Sequence, residues 1–166
     1  MCEEITRKVG LERKDFPFES RELLENSHYE LGYKRPLIFR CFDSRLDPVF
    51  DAFLKENGWS HKDLVSIPGG ARLLGSNDRA EAAAKQLLLG WCKASVALHK
   101  AKWVILTVHL HCGDYKRFAT FVNDEAERKR QASDLEWAVR FVQEELGPEV
   151  FVEGRYVDGH GIHPVG

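Results

Sequence analysis

The run Trp103-Val104-Ile105-Leu106-Thr107-Val108 restricts the fold more than any other part of the chain. It is apolar at both alternating positions, so both faces of the strand it forms must be covered. Strands of that kind sit at the centre of parallel sheets, under crossover helices. The run then stops abruptly at His109-Leu110-His111-Cys112-Gly113, a polar ending that packing does not require.

The rest of the chain supplies the crossovers. Residues 36–40 form a second apolar strand, ending at Cys41-Phe42-Asp43-Ser44-Arg45. Asp47-Pro48 then reads as an N-cap with proline at the first helical position, and Asn57-Gly58 closes that helix. A strand over 64–67 runs into Pro68-Gly69-Gly70, where backbone can approach closely. Asp78 with Glu81 has the spacing of a capping box, followed by Leu88, Trp91, Cys92, Ser95 and Val96 at helical intervals. Phe118, Phe121 and Val122 start another helix, wholly polar from Asn123 to Gln131. Ser133 with Glu136 then offers a fresh cap, before a stripe of Leu135, Ala138, Phe141, Val142 and Leu146 closed by Gly147-Pro148. The segment is either one helix bending near Ser133 or two. A last strand over 150–157 leads into a Gly-rich tail with His160 and His163. Strands alternating with helices predict an α/β domain, a mainly parallel sheet flanked by helices, with ligands at the carboxyl ends of its strands. That single domain is expected over 36–166, preceded by an N-terminal arm over 1–35 with a short helix at 20–33.

Length and charge narrow the function. At 166 residues the chain suits one domain with a substantial core, and 43% apolar with 30% charged residues excludes a disordered or collagen-like chain. Lys and Arg number 24 against 26 Asp and Glu, a net charge of -2 without a basic run, so nucleic acid is not an expected partner. Met1-Cys2-Glu3-Glu4 lacks a signal-peptide layout, and no uncharged run approaches the ~20 residues needed to cross a bilayer. A soluble cytoplasmic protein without a membrane partner is expected.

Four scattered cysteines, Cys2, Cys41, Cys92 and Cys112, do not make a disulfide framework. Cys41 and Cys112 follow strands of one parallel sheet and so share an edge. With one imidazole they form a Cys2His set, a zinc arrangement that leaves a fourth position open for water or substrate. Both His109 and His111 are available. Asp43 could fill the fourth position or accept a hydrogen bond from water, and Arg45 offers a fork for a carboxylate. The plainer alternatives are buried apolar cysteines and an ordinary Asp43–Arg45 ion pair with Asp47 as competitor. His111 could support the site, carry protons or simply lie on the surface. Cys92 falls on an apolar stripe and reads as core, and Cys2 has no role. The other histidines read as surface or tail residues.

Taken together, Cys41-Phe42-Asp43-Ser44-Arg45 after the first strand and His109-Leu110-His111-Cys112-Gly113 after a later one resemble the β-class carbonic anhydrases. The similarity in layout covers roughly residues 36–158. The chain departs from that family's pattern at Ile67-Pro68-Gly69-Gly70-Ala71-Arg72, where an Arg-Asn-Ala-Gly type of stretch is usual, and at Val108, where a glycine usually precedes the ligand histidine. The resemblance implies zinc on Cys41, His109 and Cys112, with Asp43 and Arg45 as a gating pair. It also implies reversible hydration of carbon dioxide to bicarbonate, and a homodimer or higher homo-oligomer with metal sites near the interface. Carbon dioxide needs mainly uncharged surface, for which Phe42, Leu110 and the Gly69-Gly70 backbone are candidates. Hydrolysis of carbon disulfide or carbonyl sulfide, or a non-catalytic zinc-binding module, remain alternatives at this point.

Overall fold

Four strands run parallel in one sheet and a fifth turns back against its edge. They are β1 (Pro36–Arg40), β2 (Asp63–Ser66), β3 (Trp103–His109), β4 (Phe151–Asp158) and β5 (Gly161–Pro164). Their order across the sheet is β2-β1-β3-β4-β5, with β5 antiparallel to β4. This computed structural model describes residues 35–59 and 61–165, all within the unit Gly32–Gly166. The arm expected over 1–35 lies, apart from Arg35, outside the described residues.

β3 occupies the centre, where its apolar pattern belongs. Ile105 sits opposite Ile38 of β1 on one side and Glu153 of β4 on the other, and Val104 to His109 are all buried. The helices are α1 (Asp47–Glu56), α2 (Arg72–Gly75), α3 (Ala82–His99), α4 (Gly113–Phe118) and α5 (Asp124–Leu146). α5 packs on β3 and β4 and also lies along α2. The core gathers Leu37, Ile38 and Phe39 from β1, Phe50 from α1, Leu88 and Cys92 from α3, and Leu135, Ala138 and Val142 from α5. Burying each such large side chain contributes about 1.5–3 kcal/mol. Among the described residues no helix is long and apolar enough to cross a membrane.

The mainly parallel α/β sheet follows the expectation from the sequence, while several local readings are corrected. Glu81 does not close a capping box. Asp78 caps the turn by accepting from the Ala80 N–H, but the Glu81 carboxylate turns to the Arg72 guanidinium, a charged partner nine residues back. Asp47 is the first residue of α1 and not its cap, its side chain being drawn to Arg40. Trp91 is 41% exposed, and Leu89 takes the buried place on α3 instead. Phe121 and Val122 do not start a helix, because the chain breaks between α4 and α5. The long α5 is one helix, capped by the Asn123 side chain accepting from the Ala126 N–H, and Ser133 lies inside it. The Gly-rich tail is a strand, with Ile162 opposite Val157.

Candidate metal centre

The order in which strands are added reverses after β2: the chain steps from β1 outward to β2, then crosses back to place β3 on the other side of β1. At such a reversal the connections leave in opposite directions and a crevice opens beyond the carboxyl ends of the two strands. Cys41 follows β1 directly, His109 is the last residue of β3, and Cys112 precedes α4. The topology therefore brings the two sequence motifs to one place.

Cys41, His109 and Cys112 converge there, their two sulfurs and one ring nitrogen all within 4.8 Å of one another. All three are buried, at 5%, 2% and 1% exposure. A tetrahedral ion with bonds of about 2.0–2.3 Å needs donor separations of about 3.6–3.8 Å, which that spread accommodates. His109 Nδ1 donates to the Leu110 carbonyl oxygen at 2.9 Å, which fixes the tautomer and leaves Nε2 as the nitrogen with the lone pair. That Nε2 is buried with no hydrogen-bond partner. An orphaned nitrogen facing two sulfurs suits a metal ion, and is costly to bury otherwise.

The sulfurs are electrostatically paired. The neighbouring Cys112 side chain, and after it the His109 ring, hold the Cys41 thiol well below its ordinary value against the opposing effect of burial, while Cys41 and burial push Cys112 up. Thiols must be deprotonated to ligate a metal, so metal binding there would release protons.

Asp43 and Arg45 stand beside the cluster. Arg45 Nε lies 2.9 Å from Oδ1 and 3.1 Å from Oδ2 of Asp43, and the Arg45 backbone N–H also donates to Oδ1. This hydrogen bonding holds the Asp43 carboxyl down at about 2. Asp47 does not compete, since it pairs with Arg40. Of the two histidines, only His109 belongs to the cluster. His111 has a left-handed backbone (φ 58°) that carries its ring away, and its Nε2 lies 2.8 Å from Asp124 Oδ1.

A cavity of about 860 Å³ opens beside the cluster, with Cys41, Phe42, Asp43, Arg45, His111 and Asp114 among its walls. Phe42 lines it and is 62% exposed. Gly69, Gly70 and Leu110 are not among the lining residues, and Pro68 takes the place expected of the two glycines. Their roles lie behind the wall. Gly70, at φ 58°, passes so close to β3 that a Cβ there would sit 2.3 Å from the Thr107 carbonyl oxygen and 3.2 Å from the Cys41 nitrogen. Leu110 supplies the carbonyl that orients the His109 ring.

Several supporting residues went unread in the sequence. Arg40 donates to the Cys41 carbonyl oxygen at 3.0 Å and lies over the Phe50 ring, bracing the loop that carries Cys41 and Asp43. Arg72 bridges Asp114 of α4 at 2.6 Å and Glu81 at 2.7 Å. Glu127 and Gln131 of α5 are 2% and 0% exposed and bond the loop between His109 and Cys112. Their signal was the stripe of α5 continued backwards: Glu127, Gln131, Leu135, Ala138 and Val142 form one buried face at helical spacing.

No protein-family model matches the chain, and neither does any curated protein. Solved structures do. A carbonic anhydrase from Streptococcus mutans matches 87% of this chain and 90% of its own, at 14% identity and a TM-score of 0.53. The β-carbonic anhydrase isoform I of Trichomonas vaginalis matches 99% and 97%, at 13% identity and a TM-score of 0.52. The chain has the β-carbonic anhydrase fold.

Proposed function

We propose that the protein is a zinc-dependent enzyme interconverting carbon dioxide and bicarbonate, with Cys41, His109 and Cys112 as metal ligands and Asp43 and Arg45 as the catalytic pair. The observation that carries this reading is the convergence of two buried sulfurs and an unpartnered imidazole nitrogen beside an open cavity. Two thiolates and one imidazole suit a borderline-soft, four-coordinate ion, and three protein ligands leave one position for a reactant. Zinc bound there would supply Lewis acidity, making water a nucleophile near neutral pH.

The chain's own residues do the rest. Asp43, ionised well below neutrality, accepts a hydrogen bond from the attacking water and so orients it. Arg45 engages both carboxylate oxygens, which keeps Asp43 from serving as a fourth ligand. That arrangement supports an open catalytic site over a closed binding module. Carbon dioxide is small and apolar, and Phe42 and Pro68 offer it uncharged wall. Bicarbonate is an anion, and Arg45, Lys116 and Arg117 at the cavity favour its approach. A homodimer or higher homo-oligomer is part of the same reading.

Two measurements test the proposal together. Metal analysis after purification with zinc supplied should give one zinc per chain, lost in the Cys41→Ala, Cys112→Ala double variant. Carbon dioxide hydration should vanish with a chelator and return with zinc. Zinc content well below one per chain, or hydration indifferent to chelation, would sink it.

A further inference from the structure

The two ligands His109 and Cys112 are separated by only two residues, and the peptide groups of both are held by one pair of buried side chains on α5. Gln131 Nε2 donates to the His109 carbonyl oxygen at 2.8 Å and to Glu127 Oε1 at 2.9 Å. Glu127 Oε1 also accepts from the Cys112 N–H at 3.1 Å. One continuous chain of hydrogen bonds therefore runs from the backbone of one ligand to the backbone of the other, through residues one helical turn apart.

The orientation of the Gln131 amide is forced. Both of its close neighbours, a carbonyl and a carboxylate oxygen, are acceptors, so the NH2 must face them. Its own Oε1 is then left buried without a partner. A helix that needed only to pack here would carry leucine in place of this pair, as it does one turn later at Leu135. Instead α5 buries a carboxylate and a half-satisfied amide against the loop.

We propose that Glu127 and Gln131 are positioning residues that set the span between His109 and Cys112, and with it the affinity of the metal site. This inference rests on the zinc reading above. Neither residue touches metal or substrate. Each acts through a backbone group of a ligand, and together they replace the two-residue link, including the left-handed His111, as the element that fixes ligand spacing. Outer hydrogen bonds of this kind typically govern metal affinity by about 10–100-fold.

Zinc affinity by chelator competition, measured beside the unfolding midpoint of the zinc-depleted protein, tests it. Gln131→Met keeps the volume and removes the donor, and should weaken zinc binding by about tenfold or more. Glu127→Gln keeps an acceptor oxygen of the same reach and should stay within about threefold of wild type, whereas Glu127→Met should fall with Gln131→Met. The Glu127→Met, Gln131→Met double variant should be no worse than the weaker single, because the two act in one chain of bonds. Cobalt(II) substituted into Gln131→Met should show shifted ligand-field bands. If the Met variants lose thermal stability but keep wild-type zinc affinity and cobalt spectra, the pair is merely structural and the inference is overturned. Should the Met variants fail to fold, amide exchange in the wild-type protein decides. The Cys112 N–H should be as protected as the amides of β3, with and without zinc, and exchange at the rate of an open loop would overturn the inference. A wild-type protein that binds no zinc overturns both this and the proposed function. Tight zinc binding that the variants leave unchanged overturns this alone.

Discussion

Arg45 engages both carboxylate oxygens of Asp43, its Nε lying 2.9 Å from one and 3.1 Å from the other, while Asp43 stays outside the group formed by Cys41, His109 and Cys112. The guanidinium is itself largely exposed and makes this contact two residues along the chain, so it is poised to let go as well as to hold.

Removing that hold should close the site without emptying it. In Arg45→Ala the Asp43 carboxylate is free to turn to a bound ion and fill the open position. Zinc content should remain at one per chain while carbon dioxide hydration falls by about 10² or more, the scale of losing one positioned acid–base group. Stopped-flow hydration with parallel metal analysis checks this. A rate near wild type would leave Asp43 without the role assigned to it.

Gly70→Ala should damage the site from behind. A methyl group there would lie 2.3 Å from the Thr107 carbonyl oxygen and 3.2 Å from the Cys41 nitrogen, both backbone atoms that cannot swing aside, and the residue already has φ 58°. We expect a loss of about 2–4 kcal/mol in urea unfolding, with reduced zinc content because Cys41 is displaced. Wild-type stability and zinc content in this variant would mean that β1 and β3 are not held in this register at their ends.

The Arg72 network predicts a pH-dependent contribution. The Arg72 guanidinium, then Ser76, hold the Glu81 carboxyl below its ordinary value against the effect of burial. A carboxyl depressed in the folded state contributes stability that is full above its unfolded value of about 4.3 and is lost as pH falls through the lower folded value. Glu81→Gln should therefore cost about 1–3 kcal/mol at pH 7, and the gap from wild type should close as the pH falls below about 4. Urea unfolding at several pH values reads it out. A gap independent of pH would assign Glu81 a packing role only.

These predictions draw on residues of unequal visibility in the sequence. Cys41, Asp43, Arg45, His109 and Cys112 stood out because polar side chains closed otherwise apolar strands, and a parallel sheet brings such endings to one edge. The central strand was visible because both its faces had to be covered. Glu127 and Gln131 were hidden in a polar stretch that reads as a solvated helix face, since nothing in their chemistry marks them as buried; only the period of Leu135, Ala138 and Val142 carried backwards reaches them. Glu81 was misread for another reason. Local spacing suggested a cap, but the Arg72 charge, brought in by the fold, outcompetes a backbone N–H. The close backbone approach at Pro68-Gly69-Gly70 was legible, but not that Gly70 makes it against the Thr107 carbonyl oxygen and the Cys41 nitrogen. Tertiary competition of this kind leaves no local trace.

Zinc-dependent hydration of carbon dioxide is decided by stopped-flow hydration on zinc-loaded protein from mildly acid to alkaline pH. Two thiolates give zinc more negative charge than three neutral imidazoles would, weakening its pull on water. The rate should therefore rise with pH through an ionisation above ~7, the value for a three-imidazole site. Hydration rising with pH in this way is the predicted result. No rate above buffer at the alkaline end, with zinc confirmed on the protein, would mean that the protein does not hydrate carbon dioxide.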